Sequence, residues 1–406
     1  MTAAARILLV EVNEDGTAGG SHQCLFDIAR NLDPTRFTPI VLFYQNNRFA
    51  KRLSALGIRT LIWENERAQE GPPRPPLRRL KQIIAWWQAV RRRLRLLQSE
   101  RIDLVHMNNA PAIGYHDWLP AAKLHKIPIL THARLQFRMP RPAWRWLMRA
   151  FDAVIAISRE IERFSLAQGI PAERLTQIYD GIDVAALRAS IQRIPEDVRE
   201  ELGVKPDDVL VAMVGHLRTW KGQDVALEAV HRLAPSLRAR LKLVFVGGVG
   251  HGDEAYAAAL RDTVSRHGLQ SSVTFLGERS DAAAIMQAAD IVLHASTRPE
   301  PFGLVVVEGM ALGRAVIASG IGGPVEIITR GTGVLFDPTR PDELATALAA
   351  LAADPEARHR IGEAGRRRAS DFSVQQNVES IQALYGSLLT RQGRAQAPAM
   401  APSAAR

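Results

Sequence analysis

Residues 291–319 read Ile291-Val-Leu-His-Ala-Ser296-Thr-Arg298-Pro-Glu300-Pro-Phe302-Gly303-Leu304-Val-Val-Val-Glu308-Gly-Met-Ala-Leu-Gly313-Arg-Ala315-Val-Ile-Ala-Ser319. A short β-branched run is followed by a Pro/Gly loop, an apolar helical stretch and a second short β-branched run, which is the pattern of a βαβ unit. The same alternation extends in both directions. Towards the N-terminus it predicts strands at 7–12, 39–43, 59–63, 104–106, 129–132, 153–157 and 176–179; in the second half, at 209–215, 242–247, 273–277, 291–295 and 315–319. Strands separated by helices pair in parallel, so the chain reads as α/β, with two doubly wound domains joined near residues 182–205.

Length and composition agree. The 406 residues suffice for two or three domains, and 47% hydrophobic with 23% charged residues is an ordinary globular mix. No apolar run approaches the roughly 20 residues needed to span a bilayer, and the N-terminus has no apolar core of signal-peptide length. The single cysteine, Cys24, forms no intrachain disulfide, which points to a reducing, cytoplasmic setting. The net charge of +10 is one-sided: residues 1–190 carry 28 basic and 17 acidic side chains, residues 191–406 carry 24 and 25. Such asymmetry fits a polyanionic partner for the first half alone. The segment 71–76 (Gly-Pro-Pro-Arg-Pro-Pro) reads as a stiff connector, and the Ala/Pro/Gln/Arg tail from 391 as disordered.

Several loops at strand ends carry chemistry. Pro301 and Gly303 sit where a loop becomes a helix, so the N–H groups of Phe302, Gly303 and Leu304 are placed to meet a phosphate at a positive helix end. Eight residues along a helix would separate Glu300 from Glu308 by about 12 Å, too far for a hydrolytic carboxylate pair, which needs about 5–9.5 Å. Two separate ligand contacts fit better; the plainer reading of Glu308 is a solvated helix residue. In Gly215-His-Leu-Arg218-Thr-Trp-Lys221, two cations follow another strand, where they would stabilise a departing diphosphate or simply form surface ion pairs. Gly320-Ile-Gly-Gly323 is a glycine turn that would let the backbone approach a ligand, whereas the glycines of 247–252 do not read G-x-G-x-x-G. Residues 13–21, with Gly19 and Gly20, form a phosphate- or sugar-friendly loop, and His132 ends a strand, as does His106, whose commoner role would be a structural hydrogen bond. The chain has no Asp-x-Asp and no His/Cys cluster, so neither a catalytic metal nor another cofactor is expected.

Taken in order, these segments resemble the retaining glycosyltransferases of family 4. The resemblance runs from Gly19-Gly20 through His132, Asp180-Gly-Ile-Asp183, Gly215 to Lys221 and Glu300-x7-Glu308 to Gly322-Gly-Pro-Val-Glu326, 333–338 and Asp371-Phe-Ser373. It implies the GT-B architecture: Rossmann-like domains at 1–185 (acceptor side) and 186–372 (donor side), an inter-domain cleft, and a helix over 373–390 crossing back to the N-terminal domain. By the same resemblance, Glu308 holds the ribose of a nucleoside-diphosphate sugar. Glu300 and the amides of Phe302, Gly303 and Leu304 meet its sugar and phosphates, and Lys221 binds the diphosphate. Gly19 and Gly20 lie near the reaction centre, and His132 contacts the donor sugar. Where the family commonly has arginine, directly after Gly215, this chain has His216, and Arg218 is expected to take the role. Catalysis would then rest on His132, Glu300, Arg218 and Lys221, with a glycan or lipid-linked acceptor in polysaccharide or lipopolysaccharide synthesis. A catalytically silent nucleotide-sugar-binding scaffold, towards which His216 leans, and a synthase with a soluble acceptor are the alternatives.

Residues 77–97 read as one amphipathic helix, with Leu80, Ile83, Ile84, Trp87, Val90, Leu94 and Leu97 on one face and Arg78, Lys81, Arg92 and Arg93 opposite. Residues 138–149 mix arginine with tryptophan. These basic stretches fit peripheral contact with an anionic membrane, at the inner face of the cell membrane, or else solvated faces of helices packed on their own sheet. No recognised nucleic-acid motif accompanies the charge, so nucleic acid is not expected as a partner.

Overall fold

The computed structural model describes residues 3–12, 20–64, 76–109, 117–134, 136, 149–391 and 393, apart from the side chains of 76–82. Gly19 and most of its loop, the connector at 71–75, the basic stretch at 138–148 and the tail from 394 lie outside the described residues. The chain divides into one unit formed by residues 1–181 with 374–406 and another formed by 182–373. The division falls where Ile182 N–H donates to the Phe372 carbonyl at 2.9 Å and Ile182 bridges to Ser373, so both crossing points belong to the second unit.

In the first unit a parallel sheet runs β3-β2-β1-β4-β5-β6-β7, from β1 (Ala5–Glu11), β2 (Phe37–Phe43), β3 (Arg59–Ile62), β4 (Leu104–Asn108), β5 (Ile129–Ala133), β6 (Ala153–Ala156) and β7 (Leu175–Gln177). The last described helix, Val374–Arg391, returns to this sheet: Val374, Val378, Ile381, Tyr385, Leu388 and Leu389 recur at helical spacing and are buried with Ile7, Leu9 and Leu25. Side chains at its polar edge lock it in place. Asn377 Nδ2 donates to the Tyr179 carbonyl at 2.6 Å, and Gln382 Oε1 accepts from Asp33 N–H at 2.7 Å.

The second unit is a parallel sheet in the order β10-β9-β8-β11-β12-β13: β8 (Val209–Val214), β9 (Leu241–Val246), β10 (Val273–Gly277), β11 (Ile291–His294), β12 (Ala315–Ser319) and β13 (Val334–Phe336). Along β8, Val209, Val211 and Met213 enter one core while Leu210 and Ala212 enter another. This period-two division is why the strand reads as an uninterrupted apolar run and why helices cover both faces. β13 was not expected; its three residues pair only with β12 at the sheet edge, too short for a periodic signal.

The basic helix runs over Pro76–Ser99, but its faces differ from the expectation. Val90, Arg93 and Leu97 form the buried stripe, while Ile83, Ile84 and Trp87 are 53%, 49% and 46% exposed. Arg93 is drawn inward because Asp117 meets its Nε at 2.9 Å and the rings of Trp63 and Trp118 lie 5.2 and 5.6 Å from its guanidinium carbon. Arg92 stacks over Trp63 from the solvent side.

Because Ile381 is fully buried in the first unit's core, Ile381→Ala is expected to destabilise that unit by about 2–5 kcal/mol. A urea titration followed by circular dichroism checks this, and an unchanged midpoint would contradict the role assigned to the closing helix.

Candidate functional site

In each sheet the strand order reverses at one point, between β1 and β4 in the first unit and between β8 and β11 in the second. Loops leaving the carboxyl ends of those strands diverge and leave a crevice, the usual ligand position in doubly wound sheets. At both reversals the chain has placed charge.

In the second unit Lys221, from the loop after β8, reaches Glu300, from the loop after β11, with Nζ 2.7 Å from Oε1. The other carboxylate oxygen, Oε2, receives His294 Nε2 at 2.7 Å and Ser296 Oγ at 2.8 Å. Burial alone would raise the Glu300 pKa; the charge of Lys221, then His294 and the hydrogen bonds, outweigh it and hold the carboxyl well below the usual range. His294 and Ser296 were not singled out in the sequence: neither belongs to the motif positions matched there, and their role comes only from their contact with Glu300. Lys221 is aimed by its neighbours. It lies over the Trp220 ring, and its Cε is 3.9 Å from where a side chain on Gly215 would begin. Gly222 follows with φ of 76°, and a Cβ there would stand 1.9 Å from the Ala295 carbonyl oxygen, so this turn requires glycine.

Glu300 is not on a helix. The helix begins at Leu304, capped by Gly303 with φ of 108°, and Glu300 instead bridges to Gly322 in a facing loop. The helical spacing used to separate Glu300 from Glu308 therefore does not apply, although the two carboxylates do occupy different environments. Glu308 is half-buried on the helix, and burial pushes its carboxyl up to about 7. The glycine turn at 320–323 is also required by packing within the unit. A Cβ on Gly323 would lie 2.1 Å from the Phe302 carbonyl oxygen, and one on Gly322 would lie 2.5 Å from that of Glu300. These glycines let one loop pack against another, which holds Glu300 to Gly303 in position. Phe302 is buried edge-on to Phe372, and the first N–H groups of the helix have no intrahelical acceptor. Arg218 packs on the glycines of 247–252: Leu217 N–H donates to the Gly248 carbonyl, Gly250 N–H to the Leu217 carbonyl, and a side chain on Gly250 would collide with Arg218. Arg218 Nε is buried without a hydrogen-bond partner, whereas His216 offers its carbonyl to Gln223.

In the first unit Asn108, at the end of β4, donates to Glu11 Oε2 at 2.6 Å across the reversal and accepts from Arg134 Nε at 2.8 Å. Arg134 also pairs with Asp180. Glu11, Asn108, Arg134 and Asp180 are all buried, a charged network assembled from four separate segments, of which only the one with Asp180 stood out in the sequence. Next to it, His132 Nδ1 is 2.6 Å from His106 Nε2, and His106 Nδ1 is 2.5 Å from the Tyr385 hydroxyl. Gly20 opens the helix Gly20–Asn31 beside the undescribed loop.

Two family models match the chain: "Glycosyltransferase Family 4" over residues 18–186 and "Glycosyl transferases group 1" over residues 195–368. LpcC of Rhizobium leguminosarum bv. viciae, named a lipopolysaccharide core biosynthesis mannosyltransferase, is 30% identical over 79% of this chain and 87% of its own length. The D-inositol 3-phosphate glycosyltransferase of Corynebacterium glutamicum (strain R) is 32% identical over 59% of this chain and 58% of its own. The chain thus spans less than two thirds of the first curated relatives it matches. Among solved structures, Anabaena HepE in complex with UDP and glucose is 26% identical, with a TM-score of 0.74 covering 94% of this chain and 100% of that one. A glycosyltransferase from Rickettsia africae ESF-5 shares the fold at a TM-score of 0.82 and 21% identity, over 96% of this chain and 99% of that one.

Removing the cation from the Lys221–Glu300 pair leaves a largely buried carboxylate with fewer partners. Lys221→Met is expected to cost about 1–3 kcal/mol of stability, less than a fully buried pair because both groups keep some solvent. Chemical denaturation at pH 7 measures it, and a variant as stable as the parent would mean the pair is not holding the two loops together.

Proposed function

The chain belongs to glycosyltransferase family 4, and from that membership we propose that it is an enzyme moving a sugar, with retention of configuration, from a nucleoside-diphosphate sugar to a glycan or lipid-linked acceptor. The observation that carries this reading is the Lys221–Glu300–His294 cluster at the strand-order reversal, beside the helix that starts at Leu304. Breaking the anomeric C–O bond develops positive charge on the sugar and negative charge on the diphosphate. Lys221, Arg218 and the helix N-terminus supply fixed positive potential for the second charge, so no resident metal or other cofactor enters the proposal. A cation about 4 Å from a phosphate oxygen near a protein surface is worth on the order of 4 kcal/mol, and an enzyme must remove at least ~8 kcal/mol of barrier. In the resting site Lys221 is occupied by Glu300; a diphosphate would compete for it and release Glu300 towards the sugar. His132 contributes a hydrogen bond to the transferred sugar, and the acceptor hydroxyl attacks from the face the diphosphate leaves.

HepE, solved with UDP and glucose, makes UDP-glucose the first donor to test. LpcC, named for lipopolysaccharide core biosynthesis, supports a role in making lipopolysaccharide or a related surface polysaccharide. For a lipid-linked acceptor, the exposed Ile83, Ile84 and Trp87, together with exposed Arg91, Arg92 and Arg95 on the same helix, offer apolar and cationic groups to an anionic leaflet. We therefore place the protein in the cytoplasm at the inner face of the cell membrane. Among the described residues no helix is long and apolar enough to cross a membrane.

A thermal-shift series with UDP-glucose, GDP-mannose and ADP-glucose tests the donor. At 100 times its dissociation constant the true donor adds about 2.7 kcal/mol of stability, and no shift with any of the three would sink the reading. Glu308 gives a second test. Its carboxyl titrates near 7 in the free protein, and ribose hydroxyls require the ionised form, so affinity should rise about tenfold from pH 6 to pH 8 and then level. Calorimetry with the donor identified above measures this slope, which Glu308→Gln should abolish; equal pH dependence in both proteins would remove Glu308 from the ribose contact. Flotation with vesicles containing acidic lipid should recover the protein, each basic residue near the surface contributing about 1 kcal/mol, and equal recovery with neutral vesicles would eliminate the electrostatic contact.

A further inference from the structure

Tyr385, His106 and His132 form an unbranched chain of hydrogen bonds running from the closing helix through β4 to the end of β5, with the phenol 2.5 Å from His106 Nδ1 and His106 Nε2 2.6 Å from His132 Nδ1. All three side chains are fully buried. His132 Nε2, the far end, is buried without a hydrogen-bond partner. Each member is neutral: burial, then Arg134, brings His106 down to about 3; burial, Arg134 and His106 keep His132 well below its ordinary value; and burial raises the Tyr385 phenol.

Three neutral groups hold one proton each, and two hydrogen bonds join them. Only two arrangements satisfy both bonds. In one, the Tyr385 hydroxyl donates to His106 Nδ1, His106 Nε2–H donates to His132 Nδ1, and His132 carries its proton on Nε2. In the other, every donor is reversed, His132 Nε2 is a bare lone pair, and the Tyr385 hydroxyl hydrogen points away from His106. Among the described residues Tyr385 has no other hydrogen-bond partner; its remaining ring contact is the edge of Phe37. Each arrangement leaves one buried donor unpaired in the free protein, the His132 Nε2–H in the first and the Tyr385 hydroxyl in the second. Tyr385 lies in the core, where no ligand reaches it, whereas His132 Nε2 is the end read as meeting a sugar oxygen, so only the first arrangement can have every donor satisfied.

We propose that Tyr385 and His106 are positioning residues that fix the proton of His132 on Nε2, making His132 a hydrogen-bond donor to an oxygen lone pair of the bound sugar and not a general base. The proposal rests on the reading of His132 as a sugar contact, but the proton order can be measured without a sugar. It assigns the closing helix a part in the chemistry: besides filling the core, its phenol sets the polarity of a ligand contact made from β5. It also accounts for the unpartnered Nε2, because a buried N–H of fixed direction is complete only when a ligand oxygen arrives.

The test is the tautomer itself. In the full chain labelled with ¹⁵N-histidine, two-bond ¹H–¹⁵N spectra assigned with His132→Gln and His106→Gln should place the proton of His132 on Nε2 and keep it there from pH 6 to pH 8. Tyr385→Phe keeps the ring and its packing but removes the proton source, and it should convert His132 to a mixture of both tautomers with little change in the unfolding midpoint. A proton on His132 Nδ1 in the parent protein, or an unaltered Nε2–H population in Tyr385→Phe, overturns the proposal. Donor turnover reports separately on the reading beneath it. With the tautomer shifted, kcat/KM for the donor should fall severalfold; unchanged kinetics would overturn the donor-contact role for His132.

Discussion

Every strand in both sheets runs parallel to its neighbours, and this constraint organises the rest of the structure. Parallel pairing needs a crossover between successive strands, which buries both faces and brings all carboxyl ends to one edge. Most side chains within the strands are thereby committed to packing, and the polar groups gather towards that edge. Lys221, Glu300, Asn108 and His132 all occur there, at or just beyond a strand end, and the point where strand order reverses decides which of them can meet.

The two units use that edge differently. In the second, Lys221 and Glu300 remain partly accessible, the pair proposed to meet the diphosphate. In the first, Glu11, Asn108, Arg134 and Asp180 are sealed from solvent, so their network serves to hold β1, β4 and β5 in register at their ends. The overall charge of +10 reflects neither cluster. Its excess lies in residues 1–190, and among the described residues of the Pro76–Ser99 helix Arg91, Arg92 and Arg95 are exposed, while the charges proposed to act on the donor are few and individually placed.

That helix also marks the limit of periodicity as a guide. Arg93 looked solvated because arginine usually is, yet an acid and two indole rings from other segments give it a buried place. Ile83, Ile84 and Trp87 looked buried because they are apolar, yet they face solvent. A helical wheel reports which residues share a face; it does not report which face the sheet takes.

The sequence by itself determined the α/β class, nearly every strand, the family, and Lys221, Glu300, Glu308 and His132 as candidates, because each of these rests on local spacing or on a short motif read in order. β13 escaped because three residues hold no period. Only the tertiary structure decided who partners whom. Glu300 is served by His294 and Ser296 as well as Lys221, the glycines at 322–323 admit a neighbouring loop, and Tyr385 reaches His106 across 279 residues of chain. The Tyr385–His106 and Lys221–Glu300 contacts depend on geometry accumulated over the whole fold, to which the residue types nearby in sequence contribute nothing.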